Sequence, residues 1–169
     1  SSAASDVYKR QNQQAAFHSW PSITDLARGG HSVYHTAMTY RIFIDGAAGT
    51  TGLQVNERLA VHPSVTPETL DDAQRKDAAA RREMMAANDI TILCLPDDAA
   101  RESAALAAEV GARVIDASTA HRTAEGWDFG FVELFDGARD AVAGSARISN
   151  PGCYSTGFLA LARPLVAAG

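Results

Sequence analysis

The segment FIDGAAGTTGLQV, residues 43–55, sets glycines at positions 46, 49 and 52 directly between an apolar run and a helix-forming run. A chain that passes this abruptly from a buried strand into a helix needs residues without a Cβ, so the segment predicts a strand–turn–helix unit. The same alternation continues downstream. Ile42-Phe43-Ile44, the run ITILCL at 90–95 and the shorter ARVID at 112–116 are continuous rather than alternating in polarity. Such runs are expected of parallel strands covered on both faces. Between them lie TGLQVNERLA, DAAARREMMAAN and DDAARESAALAAEV, composed largely of strong helix formers. The helix predicted over 98–110 stops before Gly111, a favourable C-terminal residue. VTPETL at 65–70 is the doubtful second strand, because Pro67 cannot donate to a ladder. The succession predicts an α/β chain with a doubly wound parallel sheet and right-handed crossovers.

The glycine turn carries its own chemistry. Glycine allows positive φ, lets a backbone approach a pyrophosphate and permits close helix-to-strand packing. The N–H groups at the start of the following helix, from Thr50 and Thr51 to Leu53, attract negative charge. Gly46, Gly49, Thr50, Thr51 and Gly52 are therefore candidates for holding a dinucleotide in a Rossmann-like domain. The spacing is G-x-x-G-x-x-G rather than G-x-G-x-x-G, and three glycines shaping a tight connection are the alternative. About 20 positions later an acidic residue would suit a ribose 2′-hydroxyl and a basic pair a 2′-phosphate. LDDAQRKD offers both, Asp71 and Asp72 followed by Arg75 and Lys76, and leans slightly toward NADP.

Composition removes other classes. A formal charge of −5 with no Lys/Arg block lacks the basic excess that nucleic-acid binding needs. No apolar run approaches the roughly 20 residues of a membrane span, and no signal-peptide layout opens the chain. With two cysteines far apart and 46% hydrophobic residues, the chain needs no disulfide framework, and a reduced, cytoplasmic setting is expected. Residues 1–37 show no sustained period and read as a linker or disordered segment outside the fold, with Met38 as the expected natural start. His31 and His35 are four apart, but Gly29 and Gly30 adjoin them and no third ligand is in sight, so no metal site is expected.

The two cysteines read differently. Cys94 lies within ITILCLP, where a small side chain packs well and desolvation would raise the energy of a thiolate. Cys153 follows a probable strand, ARIS, and the Pro151-Gly152 turn. Beyond it Phe158, Leu161, Ala162 and Leu165 recur with helical period. That puts Cys153 at or just before a helix N-terminus, where unpaired N–H groups favour the thiolate, the nucleophilic form.

Taken in order, DGAAGTTGLQV, ILCLPDDAARE, VIDASTAHRT and NPGCYSTGF resemble the N-acetyl-γ-glutamyl-phosphate reductases in their shorter-chain form, from about Tyr40 to the last residue. The resemblance implies an NADP-dependent reduction of N-acetyl-γ-glutamyl phosphate to the semialdehyde in arginine biosynthesis, through a cysteine thioester. It implies Cys153 as nucleophile, the glycine turn on the cofactor phosphates, Pro96 beside the nicotinamide, and Ser118, Arg122 and Asn150 at the substrate. It also implies a homo-oligomer when full length. A surface role for Arg122 and a helix-cap role for Ser118 are the alternatives. Ser155 and Val132 stand where the family usually has proline; serine is an acceptable helix cap.

The family continues through a second domain that supplies a histidine acid/base, whereas this chain stops at Gly169. His121 does not hold that position. The expected organisation is a non-family segment at 1–37, an NADP-binding domain at 38–149 and the first helix of a truncated catalytic domain at 150–169, inactive by itself. Two other readings stay open: an enzyme like aspartate-semialdehyde dehydrogenase, and a non-catalytic NADP-binding module.

Overall fold

The computed structural model describes residues 39–169; the segment 1–37, the His31/His35 pair and Met38 lie outside the described residues. The elements in chain order are β1 (Tyr40–Asp45), α1 (Thr50–Ala60), β2 (Val65–Glu68), α2 (Ala78–Ala87), β3 (Ile90–Leu93), α3 (Asp97–Glu109), β4 (Val114–Asp116), β5 (Asp128–Phe129), α4 (Ala138–Gly144), β6 (Arg147–Ser149) and α5 (Cys153–Ala168). The six strands form one sheet in the order β2-β1-β3-β4-β6-β5, and every pair is parallel. The chain leaves β1 toward β2 on one side and returns to β3 on the other, so the strand order reverses between β1 and β3. In open parallel sheets that reversal opens a crevice at the carboxyl ends of the strands.

β2 forms despite Pro67, which pairs with Ile42. An edge strand needs donors toward one neighbour only, so proline is tolerated there. The short β5 and α4 were not expected from the sequence. Gly111 ends α3 as expected, with φ at +67°.

The core lies under α2 and α3. Phe43, Leu93 and Val114 from the strands pack with Met85 of α2 and with Leu106 and Ala107 of α3. Phe43, Ile44 and Ile42 of β1 are all buried, as a doubly covered strand requires. β3 departs from that expectation, because Thr91 and Leu93 are buried while Ile90 and Ile92 are only half-buried. Successive strand residues face opposite sides, and the helices that supply the core cover the side of Thr91 and Leu93. α1 buries only Gly52.

The C-terminal rung of the sheet aligns Asp45, Leu93, Asp116 and Ser149. Two of these four are carboxylates, 3% and 0% exposed. The Asp45 Oδ2 accepts from Arg81 Nε at 3.1 Å, Arg81 Nη2 at 2.9 Å and Ser103 Oγ at 2.5 Å. Arg81 Nη1 reaches Glu102 Oε1 at 3.2 Å. This set joins α2 and α3 to the end of β1.

α5 begins at Cys153 with Gly152 as N-cap, so Cys153 is the first residue of the helix, as the Pro-Gly break suggested. Its expected apolar stripe exists but is uncovered: Phe158, Leu161 and Leu165 are exposed, and the helix buries no residue.

Removing one partner of a buried ion pair strands the other charge, which costs about 3–5 kcal/mol. Arg81→Ala is expected to lower unfolding free energy by that amount in urea titration, and Asp45→Leu combined with Arg81→Met to restore most of it.

Candidate active site at the carboxyl edge of the sheet

The glycine turn leaves β1 immediately after buried Asp45. Gly46 has φ of +90°, and a Cβ there would lie 2.4 Å from the Cys94 carbonyl oxygen. At Gly52 a Cβ would lie 2.2 Å from the Gly46 carbonyl oxygen, so the helix can sit on the turn only without one. Gly49 differs. A Cβ there would meet the Gly46 carbonyl oxygen at an ordinary 3.5 Å, and its φ of −78° suits any residue. No internal constraint calls for glycine at 49; the open space above it is what a Cβ would fill. As N-cap of α1 it supplies no side-chain acceptor, so the first-turn N–H groups of Thr50, Thr51 and Gly52 lack an intrahelical partner. This arrangement fits a bound pyrophosphate.

Two cavities flank the turn. The larger, about 450 Å³, is lined by Gly46, Gly49, Leu95 and Pro96, with Asp72, Arg75, Lys76 and Arg81 at its polar end. The smaller, about 330 Å³, is lined by Gly49, Thr50, Thr51, Leu95, Pro96 and Ala117. Arg75 and Lys76 thus both reach the cavity, and Arg75 pairs with exposed Asp72 at 3.2 Å. Such exposed pairs are worth little and yield readily to a stronger anion.

Backbone bonds beyond the strand ends stitch the remaining loops together. Cys94 N–H donates to Asp45 O, Ala117 N–H to Leu93 O and Asn150 N–H to Asp116 O, at 2.8, 3.0 and 2.8 Å. The loop after β4 folds on the Asp116 carboxylate, which accepts from Ser118 N–H at 2.9 Å, Ser118 Oγ at 2.7 Å and His121 Nδ1 at 2.6 Å. Ser118 is buried and its hydroxyl is committed to this turn, accepting also from Ala120 N–H. Arg122 lies against the loop after β6: a Cβ on Gly152 would be 2.6 Å from its Nη1 and 2.7 Å from its Nη2. Cys153 follows directly and is exposed. The Thr156 N–H makes the first helical bond, to Gly152 O, leaving the N–H groups of residues 153–155 without intrahelical partners. Ser155 does not cap them; its Oγ donates to Gly152 O at 2.9 Å. Asn150 is exposed, its Nδ2 near Pro151 O at 3.4 Å.

Two ionisable groups on these loops are displaced from their ordinary behaviour. Cys94 is half-buried rather than sealed, and it lines both cavities. Burial first, then the charges of Asp45 and Asp116, push its thiol up to about 11. Asp97 opens α3 right after Pro96 and accepts from Thr119 Oγ1 at 2.5 Å and Thr119 N–H at 3.0 Å. These bonds hold its carboxyl below the usual carboxylate range, the hydroxyl contributing most. The clasp ties the Pro96 wall of the cavities to the turn bearing Ser118 and Arg122.

The structure therefore gathers Gly46, Gly49, Thr50, Thr51 and Pro96 around the cavities, with Gly52 packed beneath them. It sets the Arg122 guanidinium against Gly152, the residue before Cys153, while Cys153, Arg122, Ser118 and Asn150 line neither of the two cavities. The sequence reading missed Asp45, Arg81, Asp97 and Thr119, and set His121 aside. The helix-cap alternative weighed for Ser118 was the only hint of this network. Among the described residues no cluster of metal-binding side chains is present, and no helix is long and apolar enough to cross a membrane.

The parallel sheet and its glycine turn are those of a Rossmann-like nucleotide-binding domain, and residues 66–144 match the family described as semialdehyde dehydrogenase, NAD binding domain. The chain is a relative of the N-acetyl-γ-glutamyl-phosphate reductases. It is 50% identical to the enzyme of that name from Trichormus variabilis over 76% of this chain and 40% of the other. The corresponding enzyme of Chelativorans is 53% identical over 78% and 43%. The chain thus spans about two fifths of the length of the curated relatives it matches. Among solved structures it resembles aspartate semialdehyde dehydrogenase II from Vibrio cholerae, with a TM-score of 0.57 at 19% identity, covering 78% of this chain and 47% of that one. The aspartate semialdehyde dehydrogenase of Candida albicans, solved with NADP, gives 0.52 at 16% over 77% and 47%. These likenesses concern the fold.

Two titrations check the electrostatics. Iodoacetamide at about pH 8 is expected to modify Cys153 and spare Cys94, because only the thiolate reacts; peptide mapping should find Cys94 labelled only as the pH approaches 11. A carboxylate whose folded value is depressed stabilises the fold above its unfolded value, and that contribution is lost as pH falls through the folded value. Thr119→Val is therefore expected to move the Asp97 titration upward in carboxyl NMR and to flatten the acid limb of stability.

Proposed function

We propose that this chain carries the NADP-binding domain and the catalytic thiol of an N-acetyl-γ-glutamyl-phosphate reductase, an oxidoreductase forming N-acetylglutamate semialdehyde in arginine biosynthesis. The observation that carries the reading is that one sheet edge holds both the glycine turn with its cavities and an exposed cysteine at a helix start, with the Arg122 guanidinium against the preceding Gly152.

Gly46, Gly49 and Gly52 with the N–H groups of Thr50 and Thr51 would hold the pyrophosphate, Arg75 and Lys76 the ribose 2′-phosphate, and Pro96 the nicotinamide side. When bound, the reduced nicotinamide supplies the hydride that takes a thioester to an aldehyde. The thiolate of Cys153 attacks the acyl carbon, a C–S bond forms, and the C–O bond to phosphate breaks with departure of inorganic phosphate. The Arg122 guanidinium, a planar fork, would hold the phosphate oxygens, and the free N–H groups at the start of α5 would stabilise charge on the reacting oxygen. Asn150 and Ser118 shape the turns on either side. The reading places the enzyme in the cytoplasm, as a homo-oligomer acting on a small molecule.

Acylation needs only the thiol and the acyl phosphate, so it tests the nucleophile directly. Mixing the chain with N-acetyl-γ-glutamyl phosphate is expected to give a stoichiometric burst of phosphate and an acyl mass increment on Cys153, both absent in Cys153→Ala. No adduct, or one formed only with β-aspartyl phosphate, would overturn the assignment. In fluorescence titration, replacing Arg75 and Lys76 by alanine should weaken NADPH binding roughly tenfold or more, and NADH binding little.

A further inference from the structure

His121 is buried, and the reaction outlined above makes no use of it. Its Nδ1 lies 2.6 Å from Asp116 Oδ2. A carboxylate only accepts, so this nitrogen carries the proton. The other face of the imidazole chemistry is apolar: the ring stacks on Trp127 with centroids 4.0 Å apart and planes 11° apart.

Asp116 is the point where two loops meet. Its carboxylate holds the turn from Ser118 to His121, and its main-chain carbonyl holds Asn150. The next residue after His121 is Arg122, whose guanidinium rests on the Gly152 backbone. That guanidinium makes no ion pair within 4 Å among the described residues, though its charge helps to hold the Asp97 carboxyl down, and its Nε is buried without a hydrogen-bond partner. With Asp97 beyond ion-pair distance, the fork is aimed by the backbone that carries it. That backbone is anchored one residue earlier, at His121.

We propose that His121 is a positioning residue, which through its hydrogen bond to Asp116 keeps the Arg122 guanidinium seated against Gly152, where it can take a phosphate group beside Cys153. The proposal rests on the reading of Arg122 and Cys153 given above. It distinguishes His121 from an ordinary packed aromatic: the bond to Asp116, and not the stack on Trp127, is what matters for anion binding.

Two variants of the whole chain separate the contributions. His121→Phe keeps a ring for Trp127 and removes the donor to Asp116; His121→Asn keeps an amide donor near the Nδ1 position and removes the stack. The readout is protection of Cys153 from iodoacetamide by inorganic phosphate, with NADPH binding measured in parallel. His121→Phe is expected to raise the phosphate concentration for half-protection roughly tenfold, about as much as Arg122→Ala, as loss of a well-aimed charge-assisted contact does. His121→Asn should stay within about threefold of wild type, and NADPH affinity should not move in either. Wild-type protection in His121→Phe, equal loss in the Phe and Asn variants, or parallel loss of NADPH binding would overturn the proposal. Unchanged protection in Arg122→Ala, or no protection of the wild type, would instead remove the reading of Arg122 on which it rests and take the proposal with it.

Discussion

Two buried carboxylates on the last rung of a parallel sheet, Asp45 and Asp116, are the constraint around which this molecule is arranged. An unpaired charge so placed costs several kcal/mol, so each must bring its own partners. Asp45 takes the guanidinium of Arg81 and the hydroxyl of Ser103; Asp116 takes the imidazole of His121 and both donors of Ser118. Because those partners come from α2, α3 and the loop after β4, satisfying the charges also fixes where the helices and loops at this edge sit.

Each carboxylate serves one half of the edge. Asp45 is followed at once by Gly46 and the turn that wraps the cavities, and Asp116 governs the turn carrying Arg122 and, through its carbonyl, the loop leading to Cys153. Between the two halves sits Cys94, whose thiol feels both negative charges as well as its burial. The two cysteines thus sit in different surroundings: Cys94 is kept as thiol by burial and two carboxylates, while Cys153 is exposed at the start of a helix.

Much of the scaffold was legible in the sequence, and the reason is local. Strands β1 and β3 and helices α1 to α3 follow from runs of apolar and helix-forming residues, and Cys153 from the Pro-Gly break before a helical period. β5 and α4 are too short to impose a period, and the half-covered state of β3 depends on how much α1 buries, which no window of sequence contains. The glycine turn was legible because a strand that passes straight into a helix needs residues without a Cβ; yet only the structure separates Gly46 and Gly52, required by close packing, from Gly49, which no internal packing requires. The pairing of Asp45 with Arg81 joins residues 36 positions apart, and His121 becomes a buried group only because Asp116 and Trp127 enclose it. A charge in a sequence does not announce its partner.

Pro67 illustrates how a residue that weakens a prediction can protect the fold. It stands on the outermost strand, beside the exposed fork between Arg41 and Glu68 at 2.8 and 3.0 Å. An outer strand with a full row of free donors is a template on which another chain can grow a continuous ribbon. Pro67 leaves an amide out of β2 and breaks any such row, so this edge strand, an edge among the described residues, is a poor template for fibril-like growth.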